Sequence, residues 1–413
     1  MTFKVRLPAE RCVLLKLHHQ DMGKASRLGR LADNRFREIK KLKKKNTPHY
    51  LHWFLKQDYF SEELLGLYRH EVEKFKYTTR EAFKLFEKAT DKIISEKQLH
   101  LLDIPEFFHE CIHYSWENRA KHPLLCGRFD VNGGFEKKGE KVIEFNADTC
   151  STLPETLFWQ TLQFQQLKPG FTSFNNLEQA LLGRLSEIKT TLPEENPVFL
   201  GSSFGYIEDK MNINAILDLA NRAGFKPFYE DLENVIFSEE GIFYKIGDEY
   251  QIVDVWFKMI PWDWMFNEEP DLAKIVSRLI TKNLVTVLNP TYTTIWQNKK
   301  FLAYITTYFP SEVIAKTYLE EPALGDFVKK PIYGRIGENV MIKTLGKRTE
   351  TKGDYAHQDS IYQEYCPLVM DLEDYYYQPG VFYVSEPVAL NFRTQNQPIL
   401  TDDCEFMSHF IFS

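Results

Sequence analysis

The amino-acid sequence predicts an α/β fold with α+β parts, and three patterns support that prediction. Two β-prone runs flank Asn132-Gly133-Gly134, and an Asn-Gly pair in that position is a strong signal for a β-hairpin. A strand over Pro197–Gly201, an amphipathic helix over Met211–Ala223 and a strand over Lys226–Tyr229 predict a βαβ unit. Several short strands after Asn298 predict a further α+β module.

Composition is typical of a globular protein and argues against some partners. The 413 residues are enough for two or three domains, and 43% hydrophobic with 26% charged residues is ordinary for a folded chain. A formal net charge of -7 argues against a general affinity for nucleic acid or acidic membranes. No apolar run is long enough to span a bilayer. The six cysteines form no CxxC pair, so we expect reduced thiols in a cytoplasmic protein.

The N-terminal part, residues 1–77, is expected to be a partly helical extension. Its basic cluster, Arg35–Lys45, predicts a solvated helix, and contact with nucleic acid is the alternative that such a cluster leaves open. From about Thr78 to Trp116, apolar residues recur at helical spacing. This spacing predicts two helices that divide near Ile104-Pro105.

The predicted hairpin carries the first candidate site. Its strands are expected over Leu124–Val131 and Lys141–Asn146, and antiparallel pairing would bring Asp130 and Glu144 side by side on one face. With Asn146, these side chains offer carboxylate and amide oxygens, the ligands that Mg²⁺ takes beside substrate phosphates. The sequence therefore predicts a site for a hard cation on this hairpin.

The βαβ unit contributes a second pair of acids. Glu208 and Asp209 are expected on the turn after its first strand, at the edge where such folds bind ligands. A polar turn that caps the next helix is the alternative interpretation. Both interpretations stay open from the residues alone.

The last part of the chain supplies a candidate phosphate clamp. The predicted strand Val328–Ile332 carries Lys329 and Lys330, and Gly334 and Gly337 bracket the tight loop that follows. A lysine just before a glycine-containing turn is suited to bind a polyphosphate. A cation site together with a phosphate clamp predicts phosphoryl-transfer chemistry on ATP.

At these residues the chain resembles the ATP-grasp carboxylate–amine ligases, and specifically the glutathionylspermidine synthase family. Glu144-Phe145-Asn146 is similar to their metal-binding E-x-N triplet. Here the triplet precedes the lysines, which is the circularly permuted order of this family. The resemblance continues in order through His122-Pro123, Arg128-Phe129-Asp130, Lys258-Met259-Ile260-Pro261-Trp262-Asp263-Trp264-Met265, Asn298-Lys299, Val328-Lys329-Lys330-Pro331-Ile332, Gly334-Arg335, Tyr362-Gln363-Glu364 and Asn391-Phe392-Arg393.

The resemblance implies an ATP-grasp fold with a pre-ATP-grasp βαβ domain and an N-terminal helical segment. The implied core comprises residues 78–195, with the metal-binding hairpin, and residues 296–413, with the nucleotide-binding lid. The pre-ATP-grasp domain is expected over residues 196–295. The stretch before about Pro48 matches poorly. The Cys-His amidase domain that some members carry is expected to be absent, as in the stand-alone synthetase-like members.

The resemblance also implies a function and a set of residue roles. The function is an ATP- and Mg²⁺-dependent ligase, using two Mg²⁺ ions, that joins the carboxylate of a glutathione-like peptide to a polyamine such as spermidine through an acylphosphate. The resemblance implies that Asp130, Glu144 and Asn146 bind metal and that Arg128 and Arg393 stabilise anionic intermediates. The residues implied to bind ATP are Lys299, Lys330, Gly334, Gly337, Gln363, Glu364 and Tyr365. Thr149 and Ser151 are implied to contact the acyl substrate, and Glu208 and Asp209 to bind the amine.

Three implied details concern conformation. Gly334–Gly337 is expected to form a flexible lid over the phosphates. The hinge residues Gln363, Glu364 and Tyr365 are expected to bind adenine through backbone groups, so changes of their side chains should do little. Arg393 is expected to be a mobile arginine that reaches the site when the lid closes.

Other functions remain open at this stage. The same ligase chemistry on a different peptide or amino acid and a different amine is the main alternative, because the fold does not determine the acceptor. A non-catalytic nucleotide-binding protein is another. His109-Glu110-Cys111-Ile112-His113 spells the HExxH zinc motif, which recurs easily by chance. Small-molecule substrates are the expected partners, without nucleic acid or membrane.

Overall fold

A computed structural model describes residues 30–44, 47–135, 138–323 and 325–412 of the chain. Within these ranges the strands assemble into four β-sheets. The helices are α1 Arg69–Ser95, α2 Glu106–Glu117, a π-helical turn Glu155–Trp159, α3 Gln160–Phe164, α4 Leu177–Thr190, α5 Ile207–Arg222, α6 Trp262–Glu268, α7 Pro270–Thr281, α8 Thr293–Gln297 and α9 Lys300–Tyr308. None of these described helices has both the length and the apolar composition needed to cross a membrane.

The strands lie between and after these helices. In chain order they are β1 Arg30–Leu31, β2 Phe36–Glu38, β3 Phe60–Leu67, β4 Gly127–Gly134, β5 Lys138–Asn146, β6 Val198–Ser203, β7 Lys226–Asp231, β8 Ile236–Ser238, β9 Gly241–Ile246, β10 Glu249–Ile252, β11 Val255–Lys258, β12 Thr286–Leu288, β13 Thr317–Tyr318, β14 Phe327–Pro331, β15 Met341–Thr344, β16 Lys347–Glu350, β17 Ser360–Glu364, β18 Val369–Asp371, β19 Tyr376–Tyr383, β20 Pro387–Gln395 and β21 Glu405–Ile411.

The largest sheet joins segments from both ends of the described chain. Its main path runs β1-β18-β19-β20-β21-β3-β2, and the hairpin β4–β5 belongs to it because β4 also pairs with β19. On one face of the hairpin, Phe129 and Phe145 stack with ring centroids 3.8 Å apart, and Phe86 of α1 packs edge-on against Phe145. Side chains alternate between the faces of a strand, so the residues between these aromatics project from the opposite face.

The predicted βαβ unit is confirmed as β6, α5 and β7. The strands β6 and β7 pair in parallel, with Val198 opposite Lys226, and β11 and β12 extend the same parallel sheet. Helix α5 packs on the sheet through Ile213, Ile216 and Ala220, which are buried at helical spacing. Because all four strands are parallel, their carboxyl ends share the edge at which α5 begins.

The sheet that carries the predicted phosphate clamp is antiparallel and follows the order β13-β17-β14-β15-β16. Lys330 on β14 lies opposite Ile361 on β17, two residues before Gln363. Residues two apart on a strand share a face, so Lys330 and Gln363 lie on the same face. The loop from β14 to β15 contains Gly334 and Gly337, as the sequence predicted.

The basic cluster Arg35–Lys45 is not the solvated helix that its charge predicted. Phe36–Glu38 is strand β2, which pairs antiparallel with β3. Arg35 is buried, and its two Nη groups each donate to the Glu71 carboxylate at 2.9 Å. Sheet pairing and a buried ion pair outweigh local helix propensity here. Residues 30–67 form strands and 3₁₀ turns where described, and helix α1 begins at Arg69, within the extension expected to be partly helical; residues 1–29, Lys45 and Asn46 lie outside the described residues.

The hairpin turn lies later than the sequence predicted. Strand β4 continues to Gly134, which pairs with Lys138, so Asn132-Gly133-Gly134 belongs to the strand. The register shifts at this point, and Gly133 and Gly134 have φ angles of 87° and 84°. These positive φ angles favour glycine because the Cβ of any other residue would clash with the neighbouring backbone. The glycines thus form a β-bulge rather than the turn.

Candidate active site

The polar face of the hairpin brings four predicted site residues together. Asp130 on β4 lies directly opposite Glu144 on β5, and Arg128 lies opposite Asn146. Alternate residues of a strand share a face, so all four side chains project from the side opposite the aromatic stack. The prediction that antiparallel pairing would make Asp130 and Glu144 neighbours is confirmed.

Asp130 is the most enclosed member of this group, with its side chain 1% exposed. It accepts hydrogen bonds from Arg128 Nε at 2.7 Å and from Arg393 Nη2 at 2.7 Å. Asn146 Nδ2 lies 3.3 Å from Asp130 Oδ2 and 3.3 Å from Glu144 Oε1. Three oxygen-bearing side chains therefore converge, and two guanidinium groups balance their negative charge.

Gly380 on β19 leaves room for the Arg128 side chain. It lies opposite Asp130 in the sheet. A Cβ at this position would lie 2.5 Å from Asn391 Oδ1 and 2.9 Å from Arg128 Cδ. Any larger residue would therefore displace the guanidinium from Asp130, a requirement that no local sequence pattern indicated.

Lys299 and Lys330 lie beside Glu144. Lys299 Nζ is 3.5 Å from Glu144 Oε2 and donates to the carbonyl of Gly334 at 2.8 Å. Burial would raise the pKa of Glu144, but the ammonium groups of Lys299 and Lys330 outweigh burial and hold that pKa below its usual value. Burial lowers the pKa of Lys330, and Glu144 opposes this change. Two ammonium groups next to oxygen ligands are an arrangement suited to a polyphosphate and its metal.

The side chain of Gln363 holds Lys330, a contact beyond the backbone groups that were expected to bind adenine. Gln363 Oε1 accepts from Lys330 Nζ at 3.0 Å. Its Nε2 donates to the Ile143 carbonyl at 3.1 Å and to Thr317 Oγ1 at 3.0 Å. Because Gln363 is 1% exposed, water cannot replace these bonds. The sequence could not show this, since Ile143 lies far away along the chain.

The other two hinge residues have different partners. Glu364 Oε1 accepts from Lys141 Nζ at 2.5 Å and from the backbone N–H of Lys316 at 2.9 Å. The backbone N–H of Tyr365 donates to the carbonyl of Asp326 at 3.1 Å. Both residues line the same cavity as Lys330. Their binding of adenine stays a prediction.

The loop from β14 to β15 packs against the C-terminal segment. Ile336, Gly337 and Asn339 have φ angles of 47°, 69° and 52°. A Cβ on Gly337 would lie 2.0 Å from the carbonyl oxygen of Leu400, so only glycine fits at this contact. The loop borders the cavity through Gly334 and its neighbours.

Arg393 lies on strand β20, and its movement towards the site on closure of the lid stays a prediction. Strand β20 pairs with β19 on one side and β21 on the other, and these pairings hold its backbone. Arg393 Nη2 donates to Gln378 Oε1 at 2.6 Å as well as to Asp130. The side chain therefore already reaches the hairpin acids.

Thr149 and Ser151 line the cavity next to Arg128. Arg128 Nη1 donates to the Ser151 carbonyl at 3.0 Å and to Thr152 Oγ1 at 3.1 Å. Thr152 was missed by the sequence analysis; it has a φ of 67° and also accepts from Asn391 Nδ2 at 3.0 Å. The Arg128 guanidinium thus spans the hairpin acids and the segment predicted to contact the acyl substrate.

Glu208 and Asp209 lie in the first turn of α5, one step beyond the turn on which they were expected, and both border the cavity. Among the described residues no side chain caps this helix, whose N-cap is Tyr206. Burial raises the pKa of Asp209 to about 7, and the Glu208 carboxylate adds to the shift. Burial also raises the pKa of Glu208, with Asp402 adding to it. Such carboxyl groups gain from a cationic partner.

A buried ion pair adjoins the site, and the sequence assigned it no role. Lys258 Nζ and Asp148 Oδ1 are 2.6 Å apart, with side chains 0% and 1% exposed. The backbone N–H of Trp262 donates to Asp148 Oδ2 at 2.7 Å, and the Lys258 ammonium lies 4.0 Å from the Trp262 ring centroid. Lys258 ends β11 and Asp148 follows β5, so the pair joins the hairpin to the parallel sheet. Trp262 is buried in the core, whereas Trp264 lines the cavity.

One cavity of about 520 Å³ connects these groups. Asp130 is not part of its wall and lies behind Arg128 and Asn146. The predicted site residues that do form the wall are Arg128, Glu144, Asn146, Thr149, Ser151, Glu208, Asp209, Lys299, Lys330, Gly334, Gly337, Gln363, Glu364, Tyr365 and Arg393. Residues from widely separated parts of the chain therefore meet around one space.

The donor set of the hairpin fits a hard cation. In the described ranges no three His, Cys, Asp or Glu side chains form a group that could hold a metal, so a site here needs the Asn146 amide as a third ligand. The Asn146 amide lies within 3.3 Å of both carboxylates, and turning it over would present its oxygen at the same point. Two carboxylates and one amide oxygen suit Mg²⁺.

The HExxH letters lie on α2. His109 Nε2 is 2.8 Å from the carbonyl oxygen of Ile104, so this ring nitrogen already has a backbone partner. Burial lowers the pKa of His113. The contacts of His109 therefore tie the helix to the segment that precedes it.

Known proteins resemble this chain in sequence and in fold. Trypanothione synthetase of Crithidia fasciculata is 24% identical over 330 residues, which cover 71% of this chain and 47% of that protein. The chain thus spans about half the length of this curated relative. A glutathione synthetase-like effector of Globodera pallida, solved in its apo form, superposes with a TM-score of 0.52 and 11% identity over 85% of this chain and 90% of that chain. This likeness confirms the mixed α/β, glutathione synthetase-like fold.

The family is established by a match along nearly the whole chain. The model of the glutathionylspermidine synthase pre-ATP-grasp family matches residues 36–412. This range includes the hairpin, the βαβ unit and the sheet that carries Lys330. The chain therefore belongs to the glutathionylspermidine synthase pre-ATP-grasp family.

Proposed function

We propose that this chain is an ATP- and Mg²⁺-dependent ligase that forms an amide between the carboxylate of a glutathione-like peptide and an amine of a polyamine such as spermidine. The observation that carries the proposal is one cavity that contains both Glu144 with its lysines and the acids Glu208 and Asp209. A polyphosphate with its metal needs cations and oxygen ligands, whereas a polyamine needs carboxylates. The synthetase family and the trypanothione synthetase relative support the ligase class.

The hairpin and the lysines would bind the nucleotide. Asp130, Glu144 and Asn146 would hold Mg²⁺, and Lys299 and Lys330 would bind the phosphates of ATP. Bound Mg²⁺ supplies neutralisation of the charge that develops on the phosphates during transfer. Hydrogen bonds already hold both ammonium groups, so little reorganisation is needed when the phosphates arrive.

The reaction proceeds in two steps. An oxygen of the substrate carboxylate attacks the γ-phosphorus of ATP and ADP leaves, which gives an acylphosphate. The amine nitrogen then attacks the acyl carbon, phosphate leaves, and the nitrogen loses a proton as the amide forms. Arg128 would stabilise both anionic stages, because its guanidinium reaches from Asp130 to the Ser151–Thr152 segment. Arg393 adds a second planar group of donors, a shape that suits oxygen anions.

Glu208 and Asp209 would bind the positively charged part of the amine. Burial raises the pKa of both acids, so an ammonium group beside them favours their ionised forms. Binding of a polyamine and ionisation of these acids therefore support each other. This pairing favours a substrate with more than one amino group over a simple amine.

The main alternative is the same chemistry on another pair of substrates. The nucleotide site and the fold do not determine which carboxylate and which amine react. A non-catalytic nucleotide-binding protein is less well supported, because the acid, amide and lysine set surrounds one cavity. For nucleic-acid binding through the basic cluster, Arg35 is unavailable because it pairs with the buried Glu71, whereas Lys40, Lys41, Lys43 and Lys44 are exposed.

The decisive experiment measures ADP release from Mg-ATP with a matrix of thiol peptides, amino acids and polyamines. Glu144→Gln serves as the blank, because it removes one charge from the proposed metal site at nearly constant shape. Release that needs both glutathione and a polyamine would establish the proposed activity. ADP release with another pair of substrates would support the ligase activity and identify different substrates. Equal release by wild type and Glu144→Gln would overturn the metal site.

A further inference from the structure

Arg335 links the nucleotide-binding loop to the parallel sheet. It follows Gly334 in the loop from β14 to β15, and its side chain lines the cavity. Its Nη2 donates to Asp263 Oδ1 at 2.6 Å. Asp263 lies in the first turn of α6, shortly after strand β11. A single ion pair therefore connects the loop to another layer of the molecule.

Asp263 needs Arg335 as its counter-charge. The Asp263 side chain is 8% exposed, so water screens it little. Lys258, which also interacts electrostatically with Asp263, is already paired with Asp148 at 2.6 Å. A buried carboxylate without a cation is strongly unfavourable. Asp263 therefore holds the Arg335 guanidinium, and with it the loop, against the cavity.

Arg335 retains an unused donor. Its Nε is enclosed and has no hydrogen-bond partner among the described residues, although the same guanidinium is fixed at Nη2. A guanidinium carries five N–H groups, and an enclosed N–H without an acceptor is unfavourable. An oxygen anion in the cavity would satisfy this group. Arg335 also acts electrostatically on Asp209, so this residue of the loop lies near the acids proposed to bind the amine.

We propose that Arg335 is a further substrate-contacting residue that binds a phosphate oxygen of the nucleotide, and that Asp263 is its positioning residue. The identity of the anion rests on the proposed function, whereas the coupling between Asp263 and the loop does not. Asp263 fixes the guanidinium through Nη2, and the Nε–H, unpartnered among the described residues, is left to donate to the anion. Loss of either residue then has the same consequence, because the two act as one unit.

The test is a double-mutant cycle with Arg335→Met, Asp263→Asn and the double variant. Calorimetry measures the affinity of each for a Mg-bound, non-hydrolysable ATP analogue. We expect each single change to weaken binding about 10-fold, as for the loss of one charge-assisted hydrogen bond. The double variant should bind the analogue no more weakly than the single variant with the lower affinity. Hydrogen exchange of peptides over residues 333–339, without nucleotide, should be faster in Asp263→Asn than in wild type.

A matched control separates this role from a general effect of losing an arginine. Arg348→Met lies on β16 of the same sheet, where Arg348 is 65% exposed and paired with Glu350, and it should leave binding and loop exchange unchanged. Thermal unfolding of each variant verifies that the fold is retained. Additive effects of the two substitutions, or wild-type affinity in Arg335→Met, would overturn the proposal.

The same data distinguish this proposal from the proposed function. If wild type failed to bind the analogue, both the ligase function and the phosphate contact would be overturned. Hydrogen exchange of the loop would still test whether Asp263 holds it, because this measurement needs no ligand. Equal exchange rates in wild type and Asp263→Asn would overturn that coupling, and faster exchange in the variant would support it. Arg335→Lys should recover only part of the affinity, since a lysine ammonium keeps the charge but cannot place one donor on Asp263 and another on the anion in the fixed geometry of a guanidinium.

Discussion

Lys258→Met is expected to lower the free energy of unfolding by about 3–5 kcal/mol. Lys258 Nζ and Asp148 Oδ1 are 2.6 Å apart, and both side chains are almost completely enclosed. Methionine has a similar length and leaves only a small cavity. The substitution therefore removes the charge and its hydrogen bonds but preserves the packing, and Asp148 stays buried without its cation.

The magnitude follows from the balance between burial and pairing. Burial lowers the pKa of Lys258 while Asp148 opposes the shift, and burial raises the pKa of Asp148 while Lys258 opposes it. Neither ion is favourable alone. In the double variant Lys258→Met with Asp148→Asn no charge stays buried, and the amide oxygen of the introduced asparagine can still accept the Trp262 N–H that now bonds to Asp148. We expect the double variant to be more stable than Lys258→Met by about 1.5 kcal/mol or more.

Urea unfolding followed by tryptophan fluorescence near neutral pH measures these differences. Lys274→Met is the control, because it removes a solvent-exposed ion pair: the Lys274 side chain is 44% exposed and that of its partner Asp271 is 71% exposed. This control should change stability by less than about 1 kcal/mol. The reasoning is refuted if Lys258→Met costs no more than Lys274→Met, or if the effects of the two changes at the buried pair simply add.

Three further predictions concern the cavity. Asp130→Asn should reduce turnover roughly 100-fold or more with the fold retained, because it weakens the charge that holds Arg128 and the proposed metal; ADP release at the wild-type rate would contradict this. Gln363→Leu should raise the dissociation constant for Mg-ATP about 10-fold, since Lys330 loses its acceptor, and unchanged affinity in a binding titration would speak against the clamp. Burial and Glu208 raise the pKa of Asp209 to about 7, so below that pH the carboxyl is protonated and cannot pair with an ammonium group. The KM for the amine should therefore fall as the pH rises through about 7, and Asp209→Asn should flatten this dependence; the same profile in wild type and variant would rule out the role.

Local patterns were sufficient for the parts of the site that lie on one element or on two paired strands. Asp130 and Glu144 are neighbours because both occupy polar positions of alternating strands that pair around one hairpin. The βαβ unit was also predictable, because apolar residues recur with a different spacing in its helix than in its strands. The exact turn of the hairpin was not, since Gly133 and Gly134 suit a bulge as well as a turn.

Predictions failed where a distant segment competed with a local preference. The basic cluster has helical and solvated character on its own, yet Phe36–Glu38 pairs with β3 and Arg35 pairs with Glu71. The backbone hydrogen bonds of a sheet, which no short stretch of sequence reveals, decided the outcome for this cluster.

The amino-acid sequence alone was enough to identify the types of the main elements, the polar face of the hairpin, and most of the charged residues that line the cavity. Only the tertiary structure showed which of these residues meet: Lys258 with Asp148, Gln363 with Ile143, and Arg335 with Asp263. The physical reason is that side-chain periodicity is a property of a short stretch of chain, whereas an enclosed ion pair or hydrogen bond forms between segments that packing brings together.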